Sequence, residues 1–221
     1  MGDILIYGAG GHAKGVVDVV EQCRNHKIVG LIDTTPSADE SLMGYEIFRD
    51  LAALYDRDIR HGIVALGDNV DRFRVVKEIQ ARYPDFRFVS AVHPSVQMAR
   101  DTSVKEGTVI MAGCCIKPFT AIGRHCIVNA SATIGHDVTV EDFASVGPGC
   151  TLGGHVTVGR FTAVGLGASV IQDIAIGDNT LIGAGSVVLK DVPGNVVAYG
   201  TPCAIVRERK FGTPYLQKRV K

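Results

Sequence analysis

The sequence predicts two structural units: an α/β domain with a small parallel sheet, followed by a parallel β coil of triangular cross-section. Three observations support this. An apolar strand near the N-terminus runs into a glycine-rich turn and a helix, and strands and helices alternate to about residue 90. Beyond that point an aliphatic residue recurs at every sixth position. A chain of 221 residues is long enough for both units to bury a core.

The first 90 residues alternate between short apolar strands and helical segments. Strands are predicted at 4–7, 29–32, 63–66 and 86–89. One helix is expected after the first strand, ending near Cys23, and another after the third strand, ending near Arg82. This alternation is typical of a parallel βαβ sheet with helices on its faces, and predicts a Rossmann-like domain.

The turn at 8–13 reads G-A-G-G-H-A, and Asp33 ends the second strand about twenty residues later. This pattern fits a loop that holds a phosphate group at the N-terminus of a helix. A complete dinucleotide fold needs roughly 150 residues, so half a site, for a mononucleotide, is favoured over NAD. Two simpler interpretations stay open: glycines that only form a tight turn, and an aspartate that only caps a helix.

From residue 92 onward the sequence repeats with a period of six. The aliphatic series has seventeen members without a polar interruption: Val92, Met98, Val104, Ile110, Ile116, Ile122, Val128, Ile134, Val140, Val146, Leu152, Val158, Val164, Val170, Ile176, Ile182 and Val188. Neither the period of a strand nor that of a helix gives such a series. Three six-residue sides would form a triangular coil of eighteen residues, giving five to six coils between about residues 92 and 190.

A second series of mostly small residues lies two positions before each aliphatic one. It includes Thr108, Cys114, Cys126, Ala132 and Cys150. We expect these side chains near the corners of the coil, where packing accounts for the three cysteines. Glycine or asparagine is expected to turn the chain.

Composition excludes several classes of function. The chain carries 23 basic and 23 acidic residues, so no broad positive surface is available for nucleic acid. No apolar run of about 18 residues predicts membrane insertion, and no N-terminal signal segment is evident, so a cytoplasmic location is expected. The six cysteines form no C-x-x-C pair, so neither a zinc knuckle nor a dithiol site is predicted.

The repeat resembles that of the hexapeptide-repeat acyltransferases, which implies a left-handed parallel β-helix and a homotrimer. The whole chain is similar to the bacterial branch that acetylates UDP-4-amino sugars, GDP-perosamine or sialic acid. The matching segments are 7–12 (Y-G-A-G-G-H), 32–33 (I-D), 65–69 (A-L-G-D-N), 93–95 (H-P-S) and 129–137 (N-A-S-A-T-I-G-H-D). The implied domains are 1–90 for nucleotide-sugar binding, 91–206 for the β-helix, and a basic C-terminal tail at 207–221.

The resemblance also implies binding residues for both substrates. Acetyl-CoA is the implied co-substrate, without a metal, and a nucleotide-linked amino sugar is the implied acceptor. The acceptor residues are Gly10, Gly11, His12, Asp33, Thr34 and Gly67 for the nucleotide, with Asn129 for the sugar. The coenzyme A residues are Ser145, Leu166 and Ala184, together with Gly154.

His136 and Asp137 are the candidate catalytic pair. Transfer of an acyl group to an amine or hydroxyl needs a base, for which histidine has a suitable pKa, and an adjacent carboxylate can fix its tautomer. The pair matches the family's histidine-plus-acid dyad, with aspartate where the UDP-sugar members have glutamate. One coil after His136 comes Gly154, whose backbone N–H is expected to face the thioester oxygen.

Other chemistries are less well supported. His125 and His155 are expected on the exterior of the coil. Around residue 136 no H-x-x-x-x-H pair is present to bind zinc, and Cys115 has no adjacent histidine to activate it. Sugar O-acetylation, as on sialic acid, stays open as an alternative reaction. So does a nucleotide-binding trimeric scaffold without catalysis.

Overall fold

The computed structural model describes residues 2–35 and 40–215. The N-terminal unit contains β1 (Gly2–Tyr7), α1 (Gly11–Cys23), β2 (His26–Ile32), β3 (Ser41–Leu42), β4 (Tyr45–Phe48), α2 (Ala52–Asp56), β5 (His61–Val64), α3 (Asn69–Arg82) and β6 (Arg87–Phe88). Its sheet has the order β3-β4-β2-β1-β5-β6. All pairs are parallel except β3 with β4. The predicted Rossmann-like domain is therefore confirmed.

Between β2 and β5 the structure adds elements that the sequence pattern did not predict. Strands β3 and β4 form a hairpin whose two loop residues, Met43 and Gly44, both have positive φ angles (50° and 84°). Such a turn is usually marked by Asn-Gly or Asp-Gly, and Met43 gives no such signal. Strand β3 has only two residues and helix α2 only five, too short to show a period.

The second unit is the predicted β-helix. Its seventeen two-residue strands are β7 (Ala91–Val92), β8 (Gln97–Met98), β9 (Ser103–Val104), β10 (Val109–Ile110), β11 (Cys115–Ile116), β12 (Ala121–Ile122), β13 (Ile127–Val128), β14 (Thr133–Ile134), β15 (Thr139–Val140), β16 (Ser145–Val146), β17 (Thr151–Leu152), β18 (Thr157–Val158), β19 (Ala163–Val164), β20 (Ser169–Val170), β21 (Ala175–Ile176), β22 (Leu181–Ile182) and β23 (Val187–Val188). Each strand from β7 to β20 pairs in parallel with the strand eighteen residues later, as Ile110 does with Val128. Strands β24 (Val196–Gly200) and β25 (Cys203–Glu208) form an antiparallel hairpin at the end.

The aliphatic series forms the core of this unit. Every member from Ile110 to Val188 is buried, whereas Met98, in the first coil, is 38% exposed. The small residues add hydrogen bonds to the packing. Thr108 donates to the Gly123 carbonyl at 2.7 Å, and the Cys150 thiol donates to the Gly165 carbonyl at 2.9 Å. These cysteines therefore have a structural role in the core.

The turns are made differently from the prediction. A residue with positive φ occurs at every sixth position from 101 to 185, and the expectation of glycine or asparagine there is wrong at Asp101, Phe119, His125, Ser131, Asp137, Phe143, His155, Phe161 and Asp173. The left-handed conformation costs these residues some free energy, which neighbouring structure must offset. Hydrogen bonds between coils contribute: the Phe143 N–H donates to the Arg124 carbonyl at 2.8 Å.

An aromatic column joins the two units. His125, Phe143 and Phe161, eighteen residues apart, stack with ring centroids 4.9 Å and 5.4 Å apart. Phe73 of α3 packs edge-on against both phenylalanines at 5.3 Å. His125 lies on the outside of the coil, as expected, but it is only 2% exposed because the N-terminal unit covers it. Among the described helices, no segment has the length and apolarity needed to cross a bilayer.

Candidate active site

The turns of the β-helix form three edges, and each edge has a different environment. The docked edge, covered by the N-terminal unit, carries turn residues Gly107, His125, Phe143, Phe161 and Asn179. The glycine edge carries Gly113, Ser131, Gly149, Gly167 and Gly185. The dyad edge carries Asp101, Phe119, Asp137, His155 and Asp173. This arrangement decides which of the predicted site residues meet within one chain.

His136 and Asp137 form a hydrogen-bonded pair on the dyad edge. The Nδ1 of His136 lies 2.7 Å from the Oδ2 of Asp137, with the two side chains 58% and 41% exposed. Asp137 adopts φ 57°, a conformation that aspartate tolerates better than most residues. With Nδ1–H donated to the carboxylate, Nε2 keeps a free lone pair. The pair therefore has the geometry of a base with an orienting acid.

Gly154 lies against the imidazole of His136, as the eighteen-residue spacing predicts. A Cβ atom at this position would be 2.6 Å from both Nε2 and Cε1 of His136. The Gly154 N–H has no hydrogen-bond acceptor within residues 2–35 and 40–215, as at several equivalent turn positions. A glycine is therefore required here for the histidine ring to keep its place.

His155 is a neighbour of the dyad that the sequence analysis did not include. Its ring packs edge-on against His136 with centroids 5.0 Å apart. Ligand atoms of His136, Asp137 and His155 lie within 4.8 Å of one another, all on exposed residues. The spacing H-x-x-x-x-H does not describe this pair, because residues nineteen apart meet across neighbouring coils. The coil register, applied to Asp137, would have identified His155.

A cavity of about 550 Å³ lies between the N-terminal unit and the glycine edge. It is lined by six predicted binding residues, namely His12, Gly67, Asn129, Ser145, Leu166 and Ala184, and by Tyr215, which was not predicted. His12 and Gly67 of the predicted nucleotide residues thus meet three of the coenzyme A residues in one cavity, whose lining does not include Gly10, Gly11, Asp33, Thr34 or Gly154. His136, on the dyad edge, does not line it.

The glycine turn leaves room above the start of α1. A Cβ atom at Gly10 or Gly11 would meet no other atom within 4 Å, whereas one at Gly8 (φ +112°) would lie 2.9 Å from the Ala65 carbonyl oxygen. Gly8 is therefore required by the turn itself. No side chain caps α1 at Gly10, so its first N–H groups are available to an anion.

Asp33 and Thr34 support this turn from the end of β2. The two carboxylate oxygens of Asp33 accept hydrogen bonds from the N–H groups of Ala9 (3.0 Å) and Thr35 (2.9 Å). The Thr34 hydroxyl lies 3.3 Å from the Tyr7 hydroxyl. Asp33 thus fastens the glycine turn to the neighbouring strand, whatever ligand it contacts.

His12 is neutral where it lines the cavity. Burial, followed by the positive charge of Arg72, lowers its pKa to about 4. Its Nε2 has no hydrogen-bond partner in the described part of the chain. His125 has its pKa lowered to about 4 by the same two causes. His12 therefore offers an uncharged, unpaired ring nitrogen beside the cavity.

Arg72 is a buried cation that the sequence analysis did not single out. It is 1% exposed, and burial lowers its pKa. Its guanidinium donates to the carbonyls of His125 (2.8 Å) and Leu66 (2.7 Å) and to the Ser145 hydroxyl (3.3 Å). All its acceptors are neutral oxygens, so its charge favours anions in the adjoining cavity.

Comparison with known proteins places the chain in a family. Residues 3–79 match the PglD N-terminal domain. A histidine-to-asparagine mutant of perosamine N-acetyltransferase from Caulobacter crescentus, solved with CoA and GDP-perosamine, is 33% identical over 94% of this chain and 98% of that one, with a TM-score of 0.87. The acetyltransferase domain of PglB from Neisseria gonorrhoeae, solved with acetyl coenzyme A, is 25% identical over 92% and 98%, with a TM-score of 0.85.

A third structure, WeeI from Acinetobacter baumannii, shares the fold at 22% identity, with a TM-score of 0.80 over 93% of this chain and all of that one. The identity to the perosamine enzyme and the length of the match exceed what a shared fold alone would give. The chain therefore belongs to the hexapeptide-repeat sugar acetyltransferase family, and it is an acyltransferase.

Proposed function

We propose that the protein transfers an acetyl group from acetyl-CoA to the amine of a nucleotide-linked amino sugar. The observation that carries the proposal is the cavity between the two units, with an exposed histidine–aspartate pair on the next edge of the β-helix. The structures with CoA and GDP-perosamine, at 33% identity, support the same substrate classes.

The cytoplasmic location stays a prediction.

In the proposed mechanism His136 is the general base. Its Nε2 takes a proton from the amine while the nitrogen attacks the thioester carbonyl carbon, forming a tetrahedral oxyanion. The carbon–sulfur bond then breaks, giving the amide, and the leaving thiolate takes the proton back from His136. Asp137 keeps Nδ1 protonated and stabilises the imidazolium. The Gly154 N–H donates to the oxyanion.

Each substrate has its own group of cavity residues in this proposal. The nucleotide binds above α1, against Gly10, Gly11, His12 and Gly67, with Asp33 and Thr34 at the neighbouring strand end. Asn129 contacts the sugar. Acetyl-CoA lies along the glycine edge, where Ser145, Leu166 and Ala184 belong to successive coils. Its thioester reaches Gly154 of the partner subunit.

The active site needs two subunits. His136 lies on the dyad edge and the cavity adjoins the glycine edge, so one chain does not bring them together. A homotrimer that packs the dyad edge of one subunit against the cavity of the next would complete the site. Exposed apolar side chains on both surfaces support this packing: Phe119 (61% exposed) beside the dyad, and Leu166 (60%) in the cavity wall.

The decisive experiment is a thiol-release assay with acetyl-CoA and UDP-, GDP-, CMP- and dTDP-linked amino sugars. We expect turnover with at least one acceptor and a loss of kcat of about 10²- to 10⁴-fold in His136→Ala, the usual contribution of a general base. Unchanged turnover in the variant would remove His136 as the base. An alkali-labile ester as product would indicate O-acetylation, and inactivity with every acceptor would favour the scaffold.

A further inference from the structure

The described part of the basic C-terminal tail packs against the protein. We call residues 209–215 the C-terminal strap. It leaves β25 at the docked edge and is anchored by Arg209, which is only 3% exposed. The Arg209 N–H donates to the Asn195 carbonyl at 2.7 Å, and its guanidinium donates to the carbonyls of Asn179 (3.2 Å) and Thr213 (2.7 Å). The start of the strap is therefore held by buried hydrogen bonds.

The strap then crosses onto the N-terminal unit. Phe211 packs edge-on against Phe161, with centroids 5.0 Å apart. At its end, the Tyr215 N–H donates to Oδ2 of Asp68 at 3.2 Å, and the Tyr215 hydroxyl donates to the Gly67 carbonyl at 2.6 Å. Because Oδ1 of Asp68 caps α3, one carboxylate fixes both the helix and the strap.

These contacts put the Tyr215 side chain in the cavity wall together with His12, Gly67 and Asn129. Its hydroxyl hydrogen is already donated to Gly67, and burial raises the pKa of the phenol, so the side chain stays neutral. The ring is the part left for a ligand. An aromatic ring beside a few fixed polar groups is typical of a small-molecule site.

We infer that Tyr215 is a substrate-contacting residue of the acceptor site, whose ring packs against the sugar of the nucleotide-linked substrate. This rests on the function proposed above. Tyr215 shares the cavity wall with His12 and Gly67, which are proposed to hold the nucleotide, and with Asn129, which is proposed to contact the sugar. The aromatic face suits the C–H groups of a pyranose ring, which a polar side chain would not cover.

Steady-state kinetics of three variants test this role. In Tyr215→Ala, which removes the ring, we expect the KM for the nucleotide sugar to rise about tenfold. The KM for acetyl-CoA should stay within about twofold. Tyr215→Phe keeps the ring and should lie near wild type. Lys210→Ala, an exposed change in the same strap, is the matched control and should not differ from wild type.

Calorimetric binding separates substrate contact from a loosened strap. Tyr215→Ala should bind the complete nucleotide sugar more weakly but the bare nucleoside diphosphate as wild type does. Equal weakening of both would overturn the inference in favour of a structural role, and tighter acceptor binding would show that the tyrosine obstructs the site. If wild type acetylates an acceptor and its KM is unchanged in Tyr215→Ala, only this inference fails. A wild type inactive with every acceptor contradicts the proposed function, and the inference with it.

Discussion

The ring of His136 is free to move on its exposed side and is confined on the other by a glycine. A methyl group at residue 154 would lie 2.6 Å from the end of a flexible side chain, so the ring would rotate away at little cost in stability. For Gly154→Ala we expect kcat/KM to fall about 10²-fold, the effect of a misplaced catalytic group, with an unchanged melting temperature.

Gly15→Ala is a suitable control for that substitution. An added Cβ at Gly15 would make an ordinary 3.4 Å contact with Met111, away from the dyad, so activity should match wild type. Stability should rise by about 0.5–1 kcal/mol, because Gly15 lies inside α1, where alanine is favoured over glycine. Normal activity in Gly154→Ala would show that the ring position is not critical for catalysis.

Some residues of the site could be predicted from the sequence and others could not. His136 and Gly154 could be paired from the sequence because the coil fixes which residues stack. Tyr215 lies 148 residues from Gly67, its hydrogen-bond partner, and no repeat relates the two positions. Arg72 belongs to a helix whose buried face could be recognised only after the β-helix was known to cover it.

Among the elements, α3 contributes an aromatic contact between the two units. Phe73→Ala removes two edge-on aromatic pairs with Phe143 and Phe161. Each pair contributes about 0.5–1.5 kcal/mol beyond the area that the ring buries, so urea unfolding should show a loss of at least about 1–3 kcal/mol. Gln80→Ala, an exposed change in the same helix, should stay within about 0.5 kcal/mol of wild type. Equal stability of the two variants would show that the units are joined by other contacts.

The elements differ in how far the sequence determined them. All seventeen strands of the β-helix were predictable because each contributes one aliphatic residue to an unbroken series. In the N-terminal unit the strands β1, β2, β5 and β6 were predicted, but the β3–β4 hairpin was not. Its stability comes from pairing beside β2, a tertiary effect without a local signal.

At the scale of the whole molecule, the proposed site between subunits would make two inactive variants complementary. His136→Ala lacks the base, and Ala184→Trp fills the predicted coenzyme A cavity, so neither should be active alone. Coexpressed in equal amounts, they should form mixed trimers in which about one quarter of the sites combine an intact dyad with an intact cavity. Activity near that level supports sites built between subunits. No recovery would indicate that each chain completes its own site.

The β-helix also grows along its axis in equal steps of one coil. Strands eighteen residues apart are neighbours, as Ser145, Ala163 and Leu181 are, and each such step raises the edge by about 4.8 Å. The length of the surface available to an extended ligand on the glycine edge is therefore a whole number of coils. Inserting or deleting one complete coil would lengthen or shorten this surface by one step and leave the triangular cross-section unchanged. Cofactor arms of different length could thus be matched by coil number alone.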